Sequence, residues 1–510
     1  MELTKIKQPN LFSAIALGVG SIIGSGWLFA SYKAAKFAGP ISIFSWVGGA
    51  VFALLIALLL AEIASMYHKE TGLFARLLTI SHNRDYGFVI SSTNWLSAMM
   101  IIPAEAEATM QYLSTAVPAL SDYLFTNNHF TLWGVFGTCV LMVLYGVLNY
   151  WGIKLLTRAN NIITTIKLVV PAVTALIFFA ASFSPSNFTV YHNTIAPYGY
   201  TRAFTAIVTC GIFYSFYGFS SITTFTKELK NPQRNIPLAL GGSIIICLII
   251  YLLLQISFIG AVNSNDVATN GWHSINFTSP LAQLAVLLGI NWLALVMYAD
   301  AAISPSGTGI IYAGSSARML TGMAEDGQMP KIFAKEHDLH GISRLSISVT
   351  LVICILLVLC FDNWDKIMVV ISVFFLLSCL SIPVAFVKLR KDKADLTRTF
   401  RMPLGLTVSF LVYTFISYLL IQCGTIALSV SLIFHLVLFL VYCTIYYKKP
   451  SRMLRAFASS WAIFIYLAIM LFFGYLQEKS KFDNPAMLSL FFLCIIINYI
   501  FLIRQKSYND

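Results

Sequence analysis

Apolar runs long enough to cross a membrane recur along the whole chain, and no other feature restricts the fold as strongly. A helix needs roughly 20 mostly apolar residues to cross a bilayer, and about fourteen such windows can be placed in the sequence. Because hydrocarbon offers the backbone no hydrogen-bond partners, each window is predicted to be helical. The tight junction at Gly424 leaves the exact count open between about twelve and fourteen. We number the windows spans 1 to 14, at residues 11–37, 41–66, 87–114, 131–150, 160–183, 201–225, 239–262, 284–314, 343–361, 364–388, 403–423, 426–447, 457–477 and 486–504.

The amino-acid composition agrees with a lipid environment. Of the 510 residues, 58% are hydrophobic and 11% are charged, whereas soluble proteins average about 25% charged residues. So few polar side chains cannot cover a water-facing surface of this size, which excludes a disordered chain and an ordinary soluble enzyme. The sequence therefore predicts an all-α polytopic membrane protein.

The distribution of basic residues predicts the orientation in the membrane. If the N-terminus lies in the cytoplasm, most of the 33 Lys and Arg residues fall in loops on that side, as the positive-inside rule requires. Both termini are therefore predicted to be cytoplasmic, in a cell inner or plasma membrane. The basic run at residues 388–401 is interpreted as a topology determinant that contacts lipid head groups, and no nucleic-acid partner is expected.

Motifs for metal, disulfide or nucleotide chemistry are not found in the sequence. The nine cysteines are scattered through apolar runs without a CxxC pair, so we interpret them as small core residues. The eight histidines are dispersed, which disfavours a membrane-embedded enzyme. No phosphate-binding GxxxxGK[ST] loop occurs, so any transport must draw on a gradient or on exchange. No cofactor and no metal site are predicted.

Two glycine clusters interrupt spans 1 and 6. They are residues 18–26, read as GVGSIIGSG, and residues 211–218, read as GIFYSFYG. They lie five spans apart, and with an odd separation the second copy enters the membrane from the opposite side, as in an inverted repeat. Close helix packing through small residues is the alternative interpretation, and for span 1 taken alone it is equally strong.

A broken helix offers a specific chemistry at membrane depth. Unpaired N–H groups at the start of one half attract an anion, and freed carbonyls at the end of the other half attract a cation. An amino acid zwitterion carries both charges. The clusters therefore point to a binding site for such a solute, halfway through the membrane.

Four segments resemble the amino acid-polyamine-organocation (APC) permeases. They are SIIGSGWLFA in span 1, AEIASMYHKETG at the end of span 2, KELKNPQRNIPLA after span 6 and SSARMLTGMAEDGQMPKIFAK after span 8. The wording GSGWLFA is similar to the aspartate/proton symporter branch. The resemblance implies a five-plus-five inverted-repeat core, of the LeuT-like type, with broken helices 1 and 6. Residues 1–390 would form this ten-helix core, and residues 391–510 would add four helices.

The resemblance also implies the function. A member of this family is expected to be a secondary active amino acid permease that works by alternating access, with proton coupling as the leading hypothesis. An amino acid exchanger, a polyamine transporter, and less favourably a nutrient-sensing receptor or channel, remain as alternatives. The particular amino acid, symport against antiport, and the oligomeric state stay open at this point.

By resemblance, the substrate would be bound mainly by the main chain. Its carboxylate would meet the N–H groups of Ser25 and Gly26. Its ammonium would meet carbonyls near Ile22 in span 1 and near Tyr214 and Tyr217 in span 6. For each tyrosine taken singly, aromatic core packing is an equally good interpretation.

Lys167 in span 5 and Asp300 in span 8 are the charged residues that suggest proton coupling. An ionisable side chain inside a span is costly and is functional by default. By resemblance, some proton-coupled members hold a lysine where sodium-coupled relatives bind Na⁺ between spans 1 and 8. The alternatives are a lysine that snorkels to the surface and an aspartate with a structural partner.

Three glutamates also lie within spans. Glu62, near the end of span 2, is predicted to be structural and to pair with loop cations or cap a neighbouring helix. Glu105 and Glu107 lie about 200° apart around a helix, so at most one of them can face the bundle axis squarely. Glu105 is predicted to assist proton coupling.

Overall fold

The computed structural model describes residues 10–67, 73–127, 129–151, 153–335, 343–361, 364–447, 449–482 and 484–505. The final residues of the AEIASMYHKETG segment, 68–72, lie outside these ranges. The described chain is helical almost throughout. Its strands are the antiparallel pair β1 (Phe125–Thr126) and β2 (His129–Phe130), a small hairpin between spans 3 and 4.

Every predicted span is a helix or an interrupted helix. Spans 1 to 5 comprise Leu11–Ile22 with Gly26–Ala38, Ser42–Met66, Arg84–Met99 with Ile101–Ala116, Leu132–Trp151, and Ile153–Ala181. Spans 6 to 10 comprise Thr201–Thr209 with Ile212–Ser215 and the 3-10 helix Phe219–Glu228, then Pro232–Ala261, Asn291–Glu325, Arg344–Cys360 and Trp364–Asp392. Spans 11 to 14 are Gly405–Ile421, Thr425–Tyr446, Pro450–Glu478 and Pro485–Arg504.

Short helices connect the spans. The α-helical connectors are Leu73–Ser81, Ser121–Leu124, Ser264–Asn270 and Pro280–Leu287. The 3-10 connectors are Gly39–Ile41, Pro118–Leu120, Pro185–Phe188, Trp272–Ser274 and Lys331–Ala334.

The all-α membrane fold predicted from the sequence is confirmed. By length and composition, nine helices in the described ranges can cross a membrane, or ten if the bent pair of span 6 is one span. Spans 9 and 11 are apolar helices of 17 residues each. Span 8 starts later and ends later than predicted, because the chain turns at Gly289 with φ +75° and the polar segment after residue 314 continues the helix.

Spans 1 and 6 are both interrupted, as predicted. The first half of span 1 ends at Ile22, Ile23 is extended, and the second half begins at Gly26. In span 6, Gly211 and Gly218 adopt left-handed φ values of +76° and +111°. The two parts of span 6 meet at 55°. Both interruptions therefore lie at the glycine clusters.

The two interruptions contact each other directly. Gly218 lies so close to the main-chain carbonyl of Ser21 that a Cβ at residue 218 would overlap it. A Cβ at Gly26 would lie 2.5 Å from the Ser215 hydroxyl oxygen. Glycine at these positions lets the two broken main chains approach each other.

A buried ion pair ties the end of span 2 to the end of span 10. The Arg390 guanidinium donates to the Glu62 carboxylate at 2.8 and 2.6 Å, and Met402 N–H donates to the same carboxylate at 2.7 Å. Arg398 lies 3.4 Å from it. The structural role predicted for Glu62 agrees with this geometry.

Polar contacts also join span 12 to span 3. The Tyr442 and Tyr447 hydroxyls donate to Asp85 at 2.7 and 2.6 Å, and the Thr93 hydroxyl lies 2.7 Å from the His435 ring. All nine cysteines are free thiols. Within the described residues, no cluster of His, Cys, Asp or Glu could hold a metal ion.

Gly218→Ala is expected to lower the thermal unfolding temperature of the purified protein. The new methyl group would overlap the Ser21 carbonyl, and alanine is strained at a φ of +111°. Gly322→Ala is the matched control, because no atom lies within 4 Å of a Cβ at that helical position. A thermal-shift assay measures both variants, and a wild-type unfolding temperature for Gly218→Ala would contradict the close approach of the two breaks.

Arg390→Ala is expected to lower the thermal unfolding temperature of the purified protein. The substitution leaves the buried Glu62 carboxylate without its main partner, and such a loss costs roughly 3–5 kcal/mol. Lys391→Ala, an exposed change on the same helix, controls for the loss of a positive charge. Equal unfolding temperatures for the two variants would show that the pair is not important for stability.

Candidate functional site

The break in span 1 presents a main-chain N–H to a buried carboxylate. Ser25 N–H donates to Glu105 Oε2 at 2.8 Å, and the Tyr214 hydroxyl donates to Glu105 Oε1 at 2.7 Å. The Glu105 side chain is fully buried. A Cβ at Gly24 would lie 2.5 Å from Oε1, so the absent side chain makes room for the carboxylate. The Ser25 N–H group at the break therefore already binds a carboxylate of the protein itself.

The other end of the same break faces a buried cation. Lys167 Nζ donates to the Gly20 carbonyl at 3.1 Å and to the Thr308 hydroxyl at 2.5 Å. Lys167 is fully buried, so it does not snorkel to a membrane surface. Its ammonium links spans 1, 5 and 8 at the level of the broken helix.

Asp300 belongs to a polar row along span 8. Ser304 Oγ donates to Asp300 Oδ1 at 2.6 Å, and the Thr308 hydroxyl lies 3.3 Å from the Ser304 carbonyl. Asp300, Ser304, Thr308 and Tyr312 follow one another at intervals of four residues, which places them along one helix face. The row leads from Asp300 to the Lys167 ammonium.

A small cavity lies between the two breaks. Its water-accessible volume is about 10 Å³, which is room for roughly one water molecule. The structure is therefore a closed state with no space for an amino acid. The lining side chains are Ser21, Ile22 and Gly24 of span 1, Ile101 and Glu105 of span 3, Tyr214 and Tyr217 of span 6, and Thr308 and Tyr312 of span 8.

Aromatic side chains cover the cavity on the side that faces Lys33. The Trp364 indole N–H donates to Ser25 Oγ at 3.2 Å. The Trp364 ring lies 4.7 Å from the Phe29 ring and 6.3 Å from the Tyr214 ring, centroid to centroid. Beyond this layer, Lys33 pairs with Asp365 at 2.5 Å.

The opposite side of the cavity is closed by a second set of contacts. The Tyr217 hydroxyl lies 3.0 Å from Ser97 Oγ, and the Tyr217 ring lies 5.6 Å from the Tyr312 ring. Farther from the cavity, Arg76 pairs with Asp326 at 2.9 Å, in the segment that follows span 8. Side-chain contacts therefore lie on both sides of the cavity.

Most of the residues predicted for the site lie at or next to the cavity. Ile22, Glu105, Tyr214 and Tyr217 line it. Ser25 lies directly against it through its hydrogen bond to Glu105. Gly26 begins the second half of span 1 and packs against Ser215. Lys167 and Asp300 do not line the cavity, and each hydrogen-bonds to residues next to it.

Only one glutamate of the pair in span 3 faces the cavity, as the helical geometry predicts. Glu105 lines the cavity, whereas Glu107 is fully buried outside its lining. The separation of about 200° fixes this division, but it does not say which residue faces inwards.

Sequence reasoning missed several side chains at the site, and Tyr312 and Trp364 are the largest of them. The four-residue spacing from Asp300 through Thr308 extends to Tyr312, and that periodicity could have identified the tyrosine. Trp364 reaches Ser25 from the beginning of span 10. No local sequence pattern marks it, because the contact joins residues far apart in the chain.

Comparison with known proteins places these observations in a family. The sequence profile described as "Amino acid permease" matches residues 10–442. The glutamate/serine transporter AimA of Bacillus subtilis (strain 168) is 39% identical over 416 residues, which are 80% of this chain and 77% of that protein. The aspartate-proton symporter of the same organism is 33% identical over 475 residues, which are 92% of this chain and 90% of that protein.

A solved structure has the same overall fold. The crystal structure of the Eremococcus coleocola manganese transporter, in complex with an aromatic bis-isothiourea substituted compound, superposes with a TM-score of 0.56 at 14% sequence identity. The match covers 94% of this chain and 100% of that chain. At this identity the likeness concerns the fold alone. Together with the profile match and the two relatives, the broken spans and the cavity between them lead to one conclusion: the chain belongs to the amino acid permease family.

Proposed function

We propose that the protein is a secondary active transporter that carries an amino acid together with protons across the cell membrane. The observation that carries this proposal is the pair of buried charges at the break of span 1. Glu105 holds the N–H group of one half-helix, and Lys167 holds a carbonyl of the other. A site that matches both signs of charge suits a zwitterion, and an enzyme would need a nucleophile, a base or a metal instead.

The substrate is proposed to bind at the two breaks. Its carboxylate takes the N–H groups of Ser25 and Gly26, where helix N-termini favour anions. Its ammonium takes carbonyls near Ile22, Tyr214 and Tyr217. The positions of these residues around the cavity support the assignment, and the closed state opens before substrate enters.

Lys167 is proposed to be the principal coupling group, with Asp300 and Glu105 assisting. In the ammonium form Lys167 links Gly20 of span 1 to Thr308 of span 8. Neutral lysine has lost one N–H donor, so deprotonation weakens this link between the two spans. Proton binding and release can thereby bias the opening of the cavity, which is what coupling requires.

The substrate class is proposed to be acidic or small polar amino acids. The relatives named for glutamate, serine and aspartate support this class. A side-chain carboxylate needs cationic surroundings, and Lys167 is the basic residue closest to the break among the contacts described. The polyamine alternative is disfavoured, since a polyamine has no carboxylate for the Ser25 N–H group.

Residues 1–390 are proposed to form the transport core, and residues 391–510 a four-helix addition that braces it. The contacts of Glu62 with the Met402 N–H group and of Asp85 with Tyr442 support a bracing role. Both termini are proposed to be cytoplasmic, in the orientation that the basic loops favour. Membrane lipids would then surround the apolar outer surface.

Lys167→Ala is expected to abolish uptake driven by a pH gradient, because the coupling ammonium is gone. The assay is accumulation of L-aspartate, L-glutamate or L-serine in sodium-free proteoliposomes that are acidic outside. Lys388→Ala is the matched control, since Lys388 is also largely buried but lies at the end of span 10. Counterflow from preloaded vesicles tests whether Lys167→Ala still exchanges substrate. Strict sodium dependence of the wild type, or unchanged pH-driven uptake by Lys167→Ala, would overturn the coupling assignment.

Binding of the proposed substrates is expected to stabilise the purified protein. A ligand at 100 times its Kd adds about 2.7 kcal/mol to the free energy of unfolding, which a thermal-shift assay detects. L-aspartate, L-glutamate or L-serine should raise the unfolding temperature, and putrescine, which has no carboxylate, should not. A shift with putrescine alone would favour the polyamine alternative.

A further inference from the structure

The Glu105 carboxylate occupies the position that a substrate carboxylate would need. Ser25 N–H donates to one carboxylate oxygen of Glu105, and the Tyr214 hydroxyl donates to the other. These donors lie at the two breaks, one in span 1 and one in span 6. Glu105 therefore satisfies the anion-binding end of the broken helix from within the protein.

The cavity is too small to hold the Glu105 carboxylate and a second carboxylate together. The water-accessible space holds roughly one water molecule, and Gly24 leaves room for the Glu105 carboxylate only because it has no side chain. A second carboxylate at Ser25 N–H would lie against the first in a buried space, where like charges repel strongly. Glu105 and a substrate carboxylate therefore cannot hold this N–H group together.

We propose that Glu105 is an internal competitor of the substrate, a side chain that fills the carboxylate site in the empty closed carrier and must leave it before substrate binds. This inference rests on the proposed function for the identity of the substrate. The side chain projects from the middle of the helix Ile101–Ala116, so rotation about its side-chain bonds can withdraw the carboxylate without breaking that helix. The withdrawn group loses two charge-assisted hydrogen bonds, and a proton taken from water removes the charge that those bonds compensated.

Competition of this kind links substrate binding to proton uptake. If substrate displaces Glu105 and displacement favours its protonated form, then protonation must favour substrate binding to the same degree. Two other titratable side chains act on the balance through their charges, Lys167 of span 5 and Asp300 of span 8. The remaining titratable groups around Glu105 are the hydroxyls of Tyr145 of span 4, Tyr214 of span 6, Tyr251 of span 7 and Tyr312 of span 8.

The first experiment tests the competitor without using an amino acid. Glu105→Ala vacates the carboxylate site, so acetate, which presents a carboxylate alone, should bind there and raise the unfolding temperature of the purified full-length variant. Wild-type protein and Glu107→Ala, which removes the buried neighbour outside the cavity, should show no such rise. Chloride at the same ionic strength controls for salt. Glu105→Ser, which also shortens the side chain and vacates the site, replaces Glu105→Ala if the alanine variant does not fold, and is expected to show the same acetate response.

The outcome of this experiment decides the proposal. Stabilisation by acetate that is confined to the Glu105 variants supports an internal competitor. No stabilisation of these variants, or equal stabilisation of all the proteins, overturns it. Because acetate is the probe, this result does not depend on which amino acid is transported.

A second experiment connects the competitor with transport. Binding of L-aspartate, L-glutamate and L-serine is measured by calorimetry from pH 5.5 to pH 8.5 for wild type, Glu105→Gln and Glu107→Gln. Glu105→Gln should bind about tenfold or more tightly at the highest pH, since a charge-assisted hydrogen bond no longer has to be displaced. Its affinity should also vary less with pH than that of the wild type and of Glu107→Gln.

Opposite results have distinct meanings. Weaker binding by Glu105→Gln at every pH would make Glu105 a direct substrate ligand and overturn the proposal. Failure of wild type and variants alike to bind any of the three amino acids would refute the proposed substrate class, while the acetate result would still decide whether Glu105 fills the carboxylate site.

Discussion

The structure depends on main-chain hydrogen-bonding groups that the break of span 1 leaves without helical partners. In a buried site each such group costs free energy unless a partner satisfies it. Here the partners are two charged side chains, with Glu105 on Ser25 N–H and Lys167 on the Gly20 carbonyl. Each helix end offsets the free-energy cost of burying the charge that it contacts. Each charge in turn satisfies the hydrogen-bonding group at that helix end. The break and the buried charges are therefore stable only together.

The closed state follows from this mutual dependence. Both ends of the break have hydrogen-bond partners within the protein, so no ligand is required to satisfy them. The water-accessible volume of the cavity is accordingly only about 10 Å³. Trp364 closes one side through Ser25, and Tyr217 closes the other through Ser97. A transporter that is stable when empty can change access from one side of the membrane to the other without substrate, which the proposed symport cycle requires. As a consequence, substrate must displace an existing hydrogen bond before it can bind.

The sequence predicted those parts of the structure that are encoded by local patterns. Apolar length located the spans, and glycine spacing located the breaks, because helix formation in a membrane is dominated by the backbone. The angle between Glu105 and Glu107 around the helix axis predicted that the two side chains would point to different sides of the helix. It did not predict which one would face the cavity. The contact of Trp364 with Ser25 and the pairing of Arg390 with Glu62 join distant parts of the chain, so no local pattern could reveal them. The hydrogen bond between Glu105 and Ser25 could not be predicted either, since the resemblance to the APC permeases assigns the same N–H group to the substrate.

The most direct test of this account is a cryo-electron microscopy structure of the protein with saturating L-aspartate. The account predicts that span 1 remains broken between Ile22 and Gly26, that the substrate α-carboxylate accepts from Ser25 N–H, and that the Glu105 carboxylate has moved away from it. A continuous span 1 helix, or a substrate carboxylate bound elsewhere while Glu105 keeps its hydrogen bond to Ser25, would contradict it.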